Sequence, residues 1–155
     1  MTAYADYKPL TFHDATRRFT DGNDSPRAYL ERCLETIAQR EPVVKAFAAI
    51  NEAGARASAE ASSARWKAGK PMSSIDGMPI AIKDLLETRD MPTEMGCAAM
   101  KGNFPKRDNA AVWALRQAGA VIGGAGQDPL WRARDPSLSA RSDSGGVPRR
   151  ERARG

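Results

Sequence analysis

The stretch Ser73–Gly96, SSIDGMPIAIKDLLETRDMPTEMG, places the apolar run Pro79-Ile80-Ala81-Ile82 directly before Lys83 and Asp84. Four residues are too few for periodicity to separate strand from helix, but the Asp76-Gly77 turn signal and the isoleucines favour a buried strand. A lysine at the end of such a strand loses part of its hydration, which disfavours its charged form and moves its pKa toward the range of a useful base. The adjoining Asp84 acts in the opposite direction if its carboxylate lies close. Taken alone, a strand-end lysine is ordinarily a solvated or salt-bridged side chain. Beyond it, Pro92 and Gly96 enforce breaks, so residues 87–103 read as an irregular connection.

Working back toward the N-terminus, residues 51–67 are rich in alanine, glutamate and arginine, which lose little side-chain freedom in a helix. The small residues of that helix permit close approach to a neighbour, and Gly69 and Pro71 end it. Pro42 is expected to interrupt the preceding helix before an apolar segment, 43–50, that is extended in part. That helix starts at Ser25, a good acceptor for free backbone amides, with Pro26 in the first turn. Its stripe is Tyr29, Leu30, Cys33, Leu34, Ile37 and Ala38. A shorter helix, residues 11–20, carries Phe12, Ala15 and Phe19 on one face and stops at Gly22-Asn23.

Toward the C-terminus, Asp108 is the expected cap of a helix that turns Ala111, Val112, Leu115 and Ala118 inward and ends at Gly119. Ala120-Val121-Ile122 then reads as a short strand entered directly from that helix, the rhythm of an α/β sheet. After Gly124 the patterning fails. The reading divides the chain into a domain over residues 1–124 and an arginine-rich tail over 125–155, where little apolar surface offsets the cost of ordering and disorder is expected.

The chain has 155 residues, a formal charge of +5 and a pI near 9.5, and its length fits one domain. Residues 1–126 hold 17 basic and 15 acidic groups, so the basic pI belongs disproportionately to the remainder, whose seven basic residues are all arginine. These are Arg132, Arg134, Arg141, Arg149, Arg150, Arg152 and Arg154, with few aromatics beside them as a stacking platform; a noncatalytic fragment that binds nucleic acid through this tail, or a protein through an open sheet edge, is the alternative reading. Cys33 and Cys97, far apart and outside any CxxC pattern, read as free thiols of a reducing, cytoplasmic compartment. The first ten residues, MTAYADYKPL, have no signal-peptide pattern, and no run approaches the roughly 18 apolar residues of a membrane span. His13 is the sole histidine, which leaves a histidine triad or a multi-histidine metal centre without support. Asp84, Glu87 and Asp90 lie on an irregular segment that does not establish convergent metal-ligand geometry. Gly119, Gly123, Gly124 and Gly126 lack the GxGxxG spacing and are expected in turns or at a strand end.

The run Ile75-Asp76-Gly77-Met78-Pro79-Ile80-Ala81-Ile82-Lys83-Asp84 closely resembles the lysine motif of the amidase signature family, whose familiar form is an apolar residue followed by DGxPxxxKD. The resemblance continues through Met91-Pro92-Thr93-Glu94-Met95-Gly96, then Arg107-Asp108-Asn109-Ala110-Ala111-Val112, Leu115 and Ala118-Gly119-Ala120-Val121-Ile122. It covers residues 25–122. The resemblance implies a mixed-sheet α/β domain, of which this chain supplies the N-terminal helices and first strands. It also implies hydrolysis of carboxamide C–N bonds, or ammonia release as in an amidotransferase, through a Ser–Ser–Lys triad in which Lys83 acts as base and then acid. No cofactor and no metal follow from it.

The downstream part departs from the family pattern. Gly124-Ala125-Gly126-Gln127 stands where a Gly-Lys-Thr-like strand end is usual, and Ser142-Asp143-Ser144-Gly145-Gly146 does not reproduce GGSSGG. Neither Ser142 nor Ser144 is assigned a catalytic role, so the chain is expected to be a truncated amidase domain, inactive alone. A shift of reading frame near Gly123 or Gly124 would account for the change. The expected partners are a small-molecule or acyl-linked carboxamide in the complete enzyme, and a second copy or another protein at the exposed sheet edge; no membrane is expected.

Overall fold

A computed structural model of the chain describes residues 12–126. The order is α1 (Phe12–Thr20), α2 (Pro26–Val44), β1 (Phe47–Ile50), α3 (Glu52–Lys67), β2 (Pro79–Lys83), a 3-10 turn at Ala98–Met100, α4 (Ala110–Gln117) and β3 (Val121–Gly126). The strands form one mixed sheet in the order β1-β3-β2, with β1 antiparallel and β2 parallel to the central β3. This is the expected α/β class.

Helix α2 starts as its sequence dictates: Ser25 accepts from the amide of Ala28, with Pro26 at the first turn. Pro42 does not end it. The proline sits in the exposed last turn, where it removes a single ladder bond, and α2 continues to Val44. The stop is made by Lys45, whose left-handed backbone (φ 51°) lets its amide donate to Glu41 O. The Glu41 carboxylate then accepts from the amides of Ala46 and Phe47 at 3.1 and 2.9 Å and steers the chain into β1.

One face of the sheet is covered by α2 and α3, where Leu30, Leu34, Ala55, Ala59 and Val121 are buried together with Ile37 and Ile50 packed against them. The alanines bring α3 close, and a Cβ at Gly123 would lie 3.2 Å from that of Ala55. The other face buries Ile82, Met91, Val112, Ile122 and Ala125, from β2, β3, α4 and the irregular segment. Phe19 of α1 packs edge-on against Tyr29 of α2 and Trp66 of α3.

Three expectations need correction. The strand expected over residues 120–122 runs from Val121 to Gly126 and is the centre of the sheet, whereas β2 is an edge strand among the described residues, only partly buried. Gly123 and Gly124 therefore lie inside a strand, whereas Gly126 ends it and Gly119 sits in the turn before it. Glycine is required at 124 because the Phe47 ring crosses it: a Cβ there would approach the ring to 2.6 Å. The α4 cap is Asn109, which accepts from the amide of Val112, and Ala111 is exposed while Val112 carries the burial. No helix among the described residues is long and apolar enough to cross a membrane. Residues 1–11 and 127–155 lie outside the described part, and with them the tail arginines, Ser142 and Ser144.

Candidate functional site

The four sequence blocks that carry the amidase resemblance meet in space. The first is tied to the last: Gly77 N donates to Gly119 O at 2.9 Å, Val121 N donates to Met78 O at 2.8 Å, and the Ser73 hydroxyl donates to Ala118 O at 2.7 Å. These bonds set β2 beside β3 before the ladder begins.

Asp76 explains why aspartate and glycine occur together at this junction. Its carboxylate is fully buried and accepts two hydrogen bonds from the Arg65 guanidinium of α3, at 2.8 and 2.6 Å, and a third from the amide of Met72 at 2.9 Å. Burial pushes its carboxyl upward, but the Arg65 and Met72 donors outweigh this and hold it below the usual carboxylate range. Gly77 (φ +83°) has no room for a side chain, since a Cβ would lie 2.6 Å from both Pro26 and the Ser62 hydroxyl. The sequence marks these residues only as a turn. Their ion pair spans 11 positions without a periodic signal.

Strand β2 delivers Lys83 to its C-terminal end, opposite Gly126 at the end of β3. The amide of Asp84 donates to Gly126 O at 2.7 Å, and the amide of Leu86 donates to Lys83 O, turning the chain out of the strand. Lys83 and Asp84 follow the alternation of a strand. Asp84 is 3% exposed, inside the face that holds Ile82, while Lys83 is exposed. One expectation fails for this reason, since Lys83 is not desolvated by the described residues. Asp84 accepts from the amide of Glu94 through Oδ1 at 3.0 Å, which ties the second block, Met91–Gly96, to the lysine strand.

The loop so anchored makes a tight turn. Met95 (φ 56°) and Gly96 (φ 63°) are both left-handed, and Cys97 N donates to Glu94 O at 2.9 Å. Buried Thr88 and Thr93 support it: the Thr88 hydroxyl donates to Met91 O, Thr93 N donates to Asn103 O, and the Asn103 side-chain amide returns to Thr93 O. Side-chain-to-backbone bonds of this kind stand in for a regular ladder.

The third block, residues 107–112, closes over the same loop. Asn109 N donates to Glu87 O, Arg107 forks onto the Glu87 carboxylate at 2.7 and 2.9 Å, and Asp108 accepts from Arg89 N. Arg116 of α4 is nearly buried and reaches Asp90 at 2.6 Å and Asp108 at 3.2 Å. Asp84, Glu87 and Asp90 thus serve three different partners, and among the described residues no group of three or more His, Cys, Asp or Glu is placed to hold a metal ion. Cys33 and Cys97 are free thiols, one partly buried and one exposed. His13, on α1, lies on the exposed face of that helix.

The arrangement presents one exposed amine at a strand end, beside a loop held by buried threonines and an aspartate.

Comparison with known proteins agrees with this pattern. The Amidase family model matches residues 28–131, seven residues beyond the composition break at 124. A glutamyl-tRNA(Gln) amidotransferase subunit of Myxococcus xanthus is 36% identical over 115 residues, covering 74% of this chain and 24% of that protein. The corresponding subunit of Rhodopirellula baltica is 38% identical over 95 residues, 61% of this chain and 19% of its own length. Among solved structures, the native peptide amidase of Stenotrophomonas maltophilia superposes with a TM-score of 0.71 at 27% identity, covering 78% of this chain and 25% of that one. A crystal structure of an amidase superposes at 0.68 and 30% identity, over 76% and 27%. The chain therefore spans about a quarter of the length of these relatives, or less. On the family match, the relatives and the shared fold, this chain belongs to the amidase family.

Proposed function

We propose that this chain carries the lysine-bearing part of a hydrolytic site that cleaves carboxamide C–N bonds by a Ser–Ser–Lys mechanism. The observation that carries the reading is the position of Lys83: an exposed amine at the end of β2, where Asp84 joins the lysine block to the block of Glu94 and its amide donates to Gly126 O at the end of β3. In that role the neutral amine accepts the proton of a serine hydroxyl as the other serine attacks the carbonyl. It then returns the proton to the departing nitrogen. The exposure of Lys83 supports a division of labour in which the serines and the groups that exclude water come from chain beyond the described residues. An amine left open to water lacks the desolvation that favours a neutral base, so activity requires the groups that cover it. The substrate class is a carboxamide, free or acyl-linked.

The test is ammonia release from a panel of simple primary carboxamides by the purified chain and by Lys83→Ala, with a full-length amidase as positive control. Background rates for both proteins are expected. Release that Lys83→Ala abolishes would show a complete site in this chain and refute the division of labour; release that the substitution leaves unchanged would refute the role of Lys83.

A further inference from the structure

Asp84 is 3% exposed, and its two carboxylate oxygens are treated differently. Oδ1 accepts from Glu94 N at 3.0 Å, while Oδ2 is buried with no hydrogen-bond partner among the described residues. A buried carboxylate oxygen without a donor is destabilising, so this position requires one.

The sheet register identifies the side chain that faces it. Along the parallel pair β2 and β3, Ile82 stands opposite Ala125 and Lys83 opposite Gly126, so the position opposite Asp84 is 127, one step past the end of β3. The ladder bond leading into that step is in place, since Asp84 N donates to Gly126 O at 2.7 Å. Side chains alternate along a strand, and Ile82 and Ala125 are buried on one face, which assigns Asp84 and residue 127 to that same face. Residue 127 is glutamine, whose side-chain amide has two N–H donors and no charge. Asp128, next along, offers only acceptors when ionised, and Pro129 has no amide hydrogen. The family match continues to residue 131, so Gln127 lies within the matched region.

We propose that in this chain the Gln127 side-chain amide donates to Asp84 Oδ2, closing a clasp that joins the ends of β2 and β3 to the Glu94 turn. Asp84 and Gln127 are then positioning residues for Lys83, acting through the strand end that carries its amine. The positioning role rests on the catalytic reading of Lys83 given above, whereas the clasp itself does not.

The test uses the full 155-residue chain and needs no turnover. Asp84→Asn keeps one oxygen for Glu94 N but turns a second amide toward Gln127, and Gln127→Glu turns a second carboxylate toward Asp84. Each should raise the unfolding constant in urea titrations about tenfold or more, the range for losing a hydrogen bond to a charged group. The double variant Asp84→Asn/Gln127→Glu reverses donor and acceptor across the same gap and should return the constant to within about threefold of wild type. In nitrogen-15 NMR, Gln127→Ala should speed exchange of the Asp84 amide at least about tenfold, while the Val121 amide, bonded to Met78 O at the other end of the ladder, stays within about twofold. Absence of rescue in the double variant overturns the pairing, as does a Gln127→Glu change without effect, which would leave Oδ2 to a water or a backbone donor. If Asp84→Asn does not fold, the Gln127→Ala exchange decides, and an unchanged Asp84 amide overturns the clasp. Rescue together with equal acceleration at Asp84 and Val121 leaves the clasp standing and overturns the positioning of the strand end. The ammonia assay tests the catalytic reading separately: a rescued clasp in a chain where Lys83 proves dispensable removes only the positioning role.

Discussion

Replacing Asp76 by alanine removes the acceptor of two Arg65 hydrogen bonds and of the Met72 amide while leaving the guanidinium beside an emptied pocket. Removing one member of a buried pair costs about 3–5 kcal/mol, because the remaining charge has lost its compensation. Arg65 retains partial contact with water, with 30% of its side chain exposed, which places the expectation near the lower end, about 3 kcal/mol. In a domain of this size that is roughly 10–20 °C in Tm. Arg65→Ala should cost about as much, about 3 kcal/mol, since it strands a fully buried carboxylate that keeps only the Met72 donor. Urea unfolding followed by circular dichroism on wild type, both single variants and the double variant isolates the pair, with an expected coupling of about 2 kcal/mol. The pH dependence has a definite sign. The Asp76 carboxyl is lowered in the folded state, so its contribution is fully present above the unfolded carboxylate pKa near 3.9 and is lost as pH falls through the lower folded value. The gap between wild type and Asp76→Ala should be level from about pH 5 to 8 and shrink below about pH 4. A coupling under about 0.5 kcal/mol at neutral pH, the range of an ordinary exposed pair, would refute the assignment of this ion pair as the tie between α3 and the β2 entrance.

The other expectations use simpler readouts. Gly119→Ala places a Cβ 2.5 Å from the Asp76 carboxylate at φ +89°, so it should destabilise by at least about 2 kcal/mol in the same titration, and a neutral result would contradict the close approach. Asn109→Ala should cost about 1 kcal/mol through loss of the α4 cap. Asn109→Asp, which keeps the acceptor, should restore most of it in a thermal melt. A thiol reagent at mildly alkaline pH should label the exposed Cys97 much faster than Cys33, whose thiol is pushed up by burial; equal rates would mean α2 does not pack as described. Resequencing the gene and restoring one or two nucleotides near the codons for Gly123 and Gly124 should recover a GGSSGG-like stretch, and its absence from both alternative frames would eliminate the frame-shift account.

How far the sequence reaches is visible at particular residues. Helix α2 is legible because a cap, a proline in the first turn and a helical apolar spacing agree there, α1 through its apolar spacing and α3 through its helix-favouring composition. Strand β2 is legible through its flanking turn. The extent of β3 is not, because Gly123, Gly124 and Gly126 carry no strand propensity of their own. The placement of Gly123 and Gly124 is set by Ala55 approaching from α3 and by the Phe47 ring lying across β3, contacts that exist only after folding. The α4 cap falls one residue later than expected for a similar reason: Asp108 is a competent cap, but Arg89 and Arg116 claim its carboxylate and leave the cap to Asn109. The connection over residues 87–103 is irregular as expected, yet its order comes from Thr88, Thr93, Asn103 and Asp84, whose partners no spacing rule supplies.

The same contrast bears on Lys83. The motif locates the residue and the strand that carries it, but the inference from an apolar strand to a desolvated amine passes over the alternation of side chains. In a strand, the burial of Ile82 and Asp84 on one face says nothing of the residue between them. Desolvation of Lys83 requires a cover on the opposite face, and α2 and α3 are drawn toward β1 and β3 by the small residues that face them. Among the described residues that cover is missing, and the alternation of β2 leaves the amine open to water.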